Sequence, residues 1–186
     1  MQIVLSENSK HMVIDRAVAI LARGGILVYP SDTVYGLAVD ATNSSAIDKI
    51  NKLKNRRDDQ KYSFNFSDIE MIKKFSNITP EQEKILRKYL PGPYTFVLTE
   101  DVAVRIPRNN IIVDIARAFG KPITATSANV TGKSPAISTK NLDPKIYLAS
   151  DLIIETPDFK PSSPSTIVDI SSPDHKVTRQ GAFKFP

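Results

Sequence analysis

Ile26-Leu27-Val28-Tyr29 is an unbroken apolar run set between Gly24-Gly25 and Pro30-Ser31-Asp32. A short apolar run without alternation, bounded by turn formers, is the pattern of a buried strand. Such a strand needs layers packed against it, and its neighbours in sequence supply them. His11 to Arg23 carries Ile14, Ala17, Val18 and Leu21 at helical spacing. Gly24-Gly25 then stops the helix, because glycine accepts the left-handed geometry of a helix C-terminus. After the polar turn of residues 30–36, Leu37-Ala38-Val39 forms a second short strand.

The same alternation of short strands and helices continues along the chain. Ser44 or Ser45 is placed to cap a helix with Ile47, Ile50 and Leu53 inward, ending in Lys54-Asn55-Arg56-Arg57. Tyr62 to Phe66 alternates as a strand. Ser67-x-x-Glu70 and Thr79-Pro80-x-Gln82 have the form of capping boxes, the second with proline at the first helical position. The helix after Thr79 runs to Leu90 and is stopped by Pro91-Gly92-Pro93. Tyr94 to Leu98 and Val102 to Ile106 are strands separated by three residues, which predicts a hairpin. Ile111 to Phe119 is a helix closed by Gly120, and Ile123 to Thr126 a strand running into Ser127-Ala128-Asn129. Further strands are expected at residues 151–155, 166–170 and 177–179, and the Pro-rich segment 156–164 is a loop suited to cover a site. Hairpins and crossovers together indicate an α/β fold built on a mixed sheet. The 186 residues suit a single domain, 1–186.

Several chemistries are excluded at once. There is no cysteine, so no disulfide, thiolate nucleophile or cysteine-bound zinc. His11 and His175 stand in no triad or metal-ligand spacing, and the P-loop, G-x-G-x-x-G and G-x-S-x-G signatures are missing. No run of about 18 apolar residues suggests a membrane helix, and the N-terminus lacks the pattern of a signal peptide. A cytoplasmic protein with no membrane association is the simplest expectation. The net charge of +5 suits a polyanionic partner, either a nucleotide or RNA, or simple solubility.

What carries chemistry is polar groups at strand ends, where open α/β sheets bind ligands. Residues 30–36 follow one strand and Ser127-Ala128-Asn129 follows another. Arg105 lies on the strand face opposite Val104 and Ile106. That face is either solvated or aimed at a carboxylate or phosphate. Lys54 and Arg56 end a helix, where the dipole alone favours cations.

Taken in order, YPSDTVYGL (29–37), KNR (54–56), PGPYTFVL (91–98), VAVRIP (102–107), TSANVTGKSP (126–135), PSTIVDI (164–170) and RQGA (179–182) resemble the YrdC/Sua5 family, the threonylcarbamoyl-AMP synthases. The resemblance spans nearly the whole chain, and K-x-R followed at long range by S-x-N is its most specific part. It implies a twisted α/β fold with a concave basic surface, in the short form without the extra C-terminal Sua5 domain. It implies formation of L-threonylcarbamoyl-AMP and pyrophosphate from L-threonine, bicarbonate and ATP, for t6A37 modification of tRNA. By the same resemblance Lys54, Arg56, Gln60, Asn129 and Arg179 match ATP-binding positions, with Lys54 and Arg56 acting in catalysis. Thr33, Asn65, Arg105, Ser127 and Ser165 match threonine-binding positions. Mg2+ is implied with the ATP phosphates. The implied partners are a TsaD-type transferase with helper subunits and possible tRNA contact. The chain departs from the family pattern at Arg57, Lys61-Tyr62, Asn65, Asp101 and Ala136. Two other readings stay open: an RNA-binding module without ATP turnover, and a relative that adenylates carbamoyl phosphate.

Overall fold

The computed structural model describes residues 1–56, 62–108, 111–157, 159–181 and 183–186. These form one ten-stranded mixed sheet and six α-helices. The elements are β1 (Gln2–Val4), α1 (Lys10–Ala22), β2 (Leu27–Pro30), β3 (Tyr35–Ala38), α2 (Ser44–Lys54), β4 (Ser63–Asn65), α3 (Ile69–Phe75), α4 (Pro80–Tyr89), β5 (Tyr94–Val97), β6 (Ala103–Arg105), α5 (Ile111–Phe119), β7 (Ile123–Ser127), α6 (Pro144–Ala149), β8 (Leu152–Glu155), β9 (Thr166–Asp169) and β10 (Lys176–Arg179). The strand order is β1-β8-β2-β3-β7-β4-β6-β5-β9-β10. Four pairs are parallel (β1/β8, β2/β8, β4/β6, β5/β9) and the others antiparallel, including the expected β5/β6 hairpin. Among the described residues no helix is long and apolar enough to cross a membrane.

The two halves of the sheet are covered differently. In the β1–β8–β2–β3 half, neighbouring residues of one strand enter different cores. Leu27, Tyr29, Leu152 and Ile154 pack with α1 and α5, whereas Val28, Leu37 and Ile153 pack with α2 and α6. Helices on both faces explain why β2 and β8 read as continuous apolar runs. In the other half, Phe96, Val104 and Val168 join Ile72 and Leu86 of α3 and α4 in a third core. Their strand neighbours Thr95, Arg105 and Ile167 point the other way, into a cavity. The polar residues in these strands therefore occupy the face that α3 and α4 leave uncovered.

Helix ends follow local chemistry, with two corrections. Thr79 and Gln82 form the expected capping box, and Gln82 also donates to the carbonyls of Leu98 and Ile170. The α2 cap is Asn43, not Ser44 or Ser45: its extended backbone lets the side-chain oxygen accept from the Ala46 N–H. The α3 cap is Asp68, accepting from Met71 N–H at 2.8 Å, while the Ser67 hydroxyl donates to Asp68 instead of closing a box with Glu70. Gly24 and Gly120 take positive φ after α1 and α5. Strand β1 and helix α6 were not expected from sequence. Tyr62 and Phe66 flank β4 and are buried, and Phe64 between them is half-buried against two of the cores, so the alternation there serves packing.

Candidate active site

A cavity of about 320 Å³ lies on the uncovered face. Tyr29, Ser31, Thr33 and Gly36 come from the β2/β3 hairpin, Thr95 and Arg105 from the β5/β6 hairpin, and Ser127 from the end of β7. Pro164, Ser165 and Arg179 close the remaining side, and Arg56 enters from beyond α2. Thus Thr33, Arg56, Arg105, Ser127, Ser165 and Arg179, six of the residues expected from sequence, line one space. Lys54, Asn65 and Asn129 are not among its lining residues, the first two being buried and Asn129 half-buried, and Gln60 falls outside the described residues.

Lys54 is turned inward and is only 3% exposed. Its Nζ donates to the carbonyl oxygens of Ser127 (2.6 Å) and Asn129 (2.6 Å) and to Asn129 Oδ1 (3.3 Å). The Lys54 carbonyl in turn accepts from Thr131 N–H at 2.8 Å. The end of α2 is therefore tied to the segment 127–131 from both its side chain and its backbone. Burial, and secondarily the Arg56 cation, push the Lys54 ammonium down to about 8. Asn55 then takes left-handed geometry (φ 50°), which turns the chain so that Arg56 departs from the helix axis. The Arg56 guanidinium lies 4.0 Å from the centre of the Tyr62 ring. Burial lowers its pKa and raises that of Tyr62 to about 12.

On the opposite wall Arg179 donates through Nε (3.2 Å) and Nη2 (2.9 Å) to the Ser165 carbonyl, and through Nη2 to Ser165 Oγ. The Ser165 hydroxyl also meets Thr95 Oγ1 at 2.9 Å. Burial, then the nearby Arg105 cation, lower the Arg179 pKa. Gly181 is required here, since a Cβ would run into the backbone of Pro164 and Thr166. Arg105 is not on a solvated face: it is 9% exposed and its Nη2 pairs with Asp32. Asn65, beside it in the parallel β4/β6 register, is fully buried and donates to the Tyr29 hydroxyl at 2.8 Å. A Cβ on Gly36 would fall 2.5 Å from the Tyr29 ring, so glycine lets Tyr29 cover that position. Thr33 is buried, its Oγ1 3.0 Å from Ser31 Oγ.

Sequence reasoning missed Asp32, Tyr29 and Thr95. Thr95 has a detectable signal, since alternation in β5 sets it opposite the apolar Phe96. Asp32 has only its place beside Thr33 in the polar turn. Chemically, the cavity gathers three arginines with hydroxyls from Thr33, Ser127 and Ser165; Arg105, Thr33 and Ser165 are buried, Arg56 and Ser127 half-buried, and Arg179 exposed. That combination suits a ligand with several anionic groups and a small polar remainder.

The family model of Sua5, YciO and YrdC, described as "Telomere recombination", matches residues 19–181. A threonylcarbamoyl-AMP synthase of Xanthomonas campestris pv. campestris is 30% identical over 158 residues, spanning 76% of this chain and 84% of that one. The solved Sua5 of P. abyssi complexed with L-threonine shares the fold with a TM-score of 0.89 at 26% identity, over 97% of this chain and 57% of that longer one. The fold is also that of E. coli YciO, with a TM-score of 0.79 at 24% identity over 99% of this chain and 96% of that one. The chain thus belongs to the Sua5/YciO/YrdC family and is homologous to threonylcarbamoyl-AMP synthases.

Proposed function

We propose that this chain is an L-threonylcarbamoyladenylate synthase, joining L-threonine, bicarbonate and ATP into threonylcarbamoyl-AMP with release of pyrophosphate. The observation that carries the reading is that one cavity is lined both by Thr33, Arg105, Ser127 and Ser165 and by Arg56 and Arg179. The former suit an amino acid and the latter suit phosphates. A relative of the same fold is complexed with L-threonine, which supports the amino-acid side.

In this reading Arg105 receives the threonine carboxylate, because a carboxylate taken out of water needs a paired cation. The amine, deprotonated, takes up carbon dioxide, which bicarbonate supplies by losing water, and becomes a carbamate. A carbamate oxygen attacks the α-phosphorus of ATP in line, the bond to the β-phosphate oxygen breaks, and pyrophosphate leaves. Arg56 and Arg179 offset the charge that develops at phosphorus. Lys54 holds Ser127 and Asn129 in register with Arg56. Mg2+ would enter with the ATP phosphates and supply charge neutralisation there. Among the described residues no three His, Asp or Glu side chains converge on a metal position. The adenylate is labile and would pass in the cytoplasm to a TsaD-type transferase acting on tRNA.

The test supplies ATP, bicarbonate and either L-threonine or carbamoyl phosphate, and measures pyrophosphate. Release that requires L-threonine is expected. Release with carbamoyl phosphate alone would move the activity to that substrate, and binding of RNA without any release would remove the enzymatic reading.

A further inference from the structure

Arg105 is held by a partner that does not match it fully. Its Nη2 pairs with Asp32 Oδ1, with the two side chains 11% and 17% exposed. Asp32 belongs to the β2–β3 turn and Arg105 ends β6, strands that are not neighbours in the sheet. The contact is one-pronged. Nε lies on the same edge of the guanidinium as Nη2, yet it is buried and has no hydrogen-bond partner among the described residues. A free carboxylate matches such an edge by taking both N–H groups, and each buried donor left unpaired is costly. Asp32, tethered to its turn, takes one.

The turn itself is fixed. Ser162 donates from its N–H to the Thr33 carbonyl (2.8 Å) and from its hydroxyl to the Asp32 carbonyl (2.8 Å). Ser31 Oγ accepts from the N–H groups of Thr33 and Val34. Asp32 can therefore release Arg105 by rotating its side chain toward solvent while the turn stays in place.

We propose that Asp32 is an internal stand-in for the substrate carboxylate and a specificity-determining residue of the site. An amino-acid ligand would bind by carboxylate exchange, displacing Asp32 from the Nε–Nη2 edge of Arg105 and gripping that edge with both oxygens. This rests on the reading of the cavity as an amino-acid site. Until exchange occurs, the aspartate keeps Arg105 neutralised, so phosphate groups gain little from it. A ligand must out-compete a tethered carboxylate, which favours one that can be bidentate.

The experiment follows the Arg105 Nε–H resonance by nitrogen-15 NMR while L-threonine or acetate is added, with no ATP or bicarbonate. Wild type, Asp32→Asn and Asp32→Ala are compared. In both variants L-threonine is expected to bind with a Kd about tenfold lower, because the competent state no longer competes with an internal ion pair. Acetate should shift the resonance in the variants at concentrations that leave wild type unmoved. If Asp32→Ala does not fold, the near-isosteric Asp32→Asn decides alone. Equal or weaker threonine binding in Asp32→Asn makes the aspartate a positioning residue and overturns the exchange. So does an Arg105 signal that neither carboxylate moves in any of the proteins. Pyrophosphate release by wild type separates the two readings. Exchange without release sinks the synthase and leaves the exchange standing. Release with weakened binding in Asp32→Asn does the reverse.

Discussion

Replacing Lys54 with methionine separates two things that its buried ammonium does at once. Holding the charge inside shifts its titration from 10.5 to about 8, which corresponds to roughly 3 kcal/mol of cost at neutral pH. Methionine removes that cost along with the hydrogen bonds. Two of the three acceptors keep another donor: Ser127 O has the Asn129 N–H at 2.9 Å, and Asn129 Oδ1 has the Ser127 hydroxyl. Asn129 O has no second donor among the described residues. One buried acceptor left unpaired costs about 1–3 kcal/mol. The terms nearly cancel, so Lys54→Met is expected to change the unfolding free energy by no more than about 2 kcal/mol. Turnover is a different matter, since the segment 127–129 loses its anchor. A displacement of about 1 Å there lowers activity by roughly a hundredfold. The pH dependence gives the sign. Unfolded Lys54 titrates at 10.5 and folded Lys54 at about 8. Between those values the unfolded chain holds more protons, so wild type gains stability as pH rises, by up to about 3 kcal/mol, and the variant lacks that gain. Urea denaturation of both proteins at pH 7 and pH 10, with a pyrophosphate assay at pH 7, reads all three quantities. A loss of stability beyond about 4 kcal/mol, or parallel pH curves, refutes the balance. Full turnover refutes the anchoring role.

Three further substitutions follow from the same geometry. Gly36→Ala places a Cβ 2.5 Å from the buried Tyr29 ring and is expected to cost about 1–3 kcal/mol in denaturant unfolding; an unchanged midpoint would show that Tyr29 yields. Arg105→Lys keeps the charge but loses the planar fork, so the KM for L-threonine should rise at least about tenfold while that for ATP stays within error. Arg179→Gln removes a cation on the phosphate side and should do the opposite, raising the KM for ATP and lowering kcat; an effect confined to threonine would exchange the two roles.

The parts of the fold that were legible are those written in local pattern. The β2 run, the glycine stops after α1 and α5, the β5/β6 hairpin and the Thr79–Gln82 capping box each depend on residues close in sequence. Strand β1 was not legible because it is three residues long, and its only described partner is β8, about 150 residues away. Helix α6, at six residues, is too short for periodicity to show. The two cap errors have one cause: Asn43, Ser44 and Ser45, like Ser67 and Asp68, are adjacent residues all able to cap, and backbone geometry chooses among them. In the site, motifs indicated which residues gather but not which way they face. Nothing in K-x-R says that Lys54 turns into the protein while Arg56 turns to the cavity; the left-handed Asn55 between them does that. Nor does local sequence pair Asp32 with Arg105, a contact across 73 residues.

The central claim is that this one cavity joins an amino acid to ATP, and the most direct measurement is to look for the joined product. Wild-type protein is incubated with radiolabelled bicarbonate, ATP, Mg2+ and L-threonine, quenched quickly, and separated by chromatography. A labelled adenylate that forms only when L-threonine and ATP are both present, in step with pyrophosphate, is the expected result. Absence of any labelled adenylate from protein that is folded and binds ATP would contradict it.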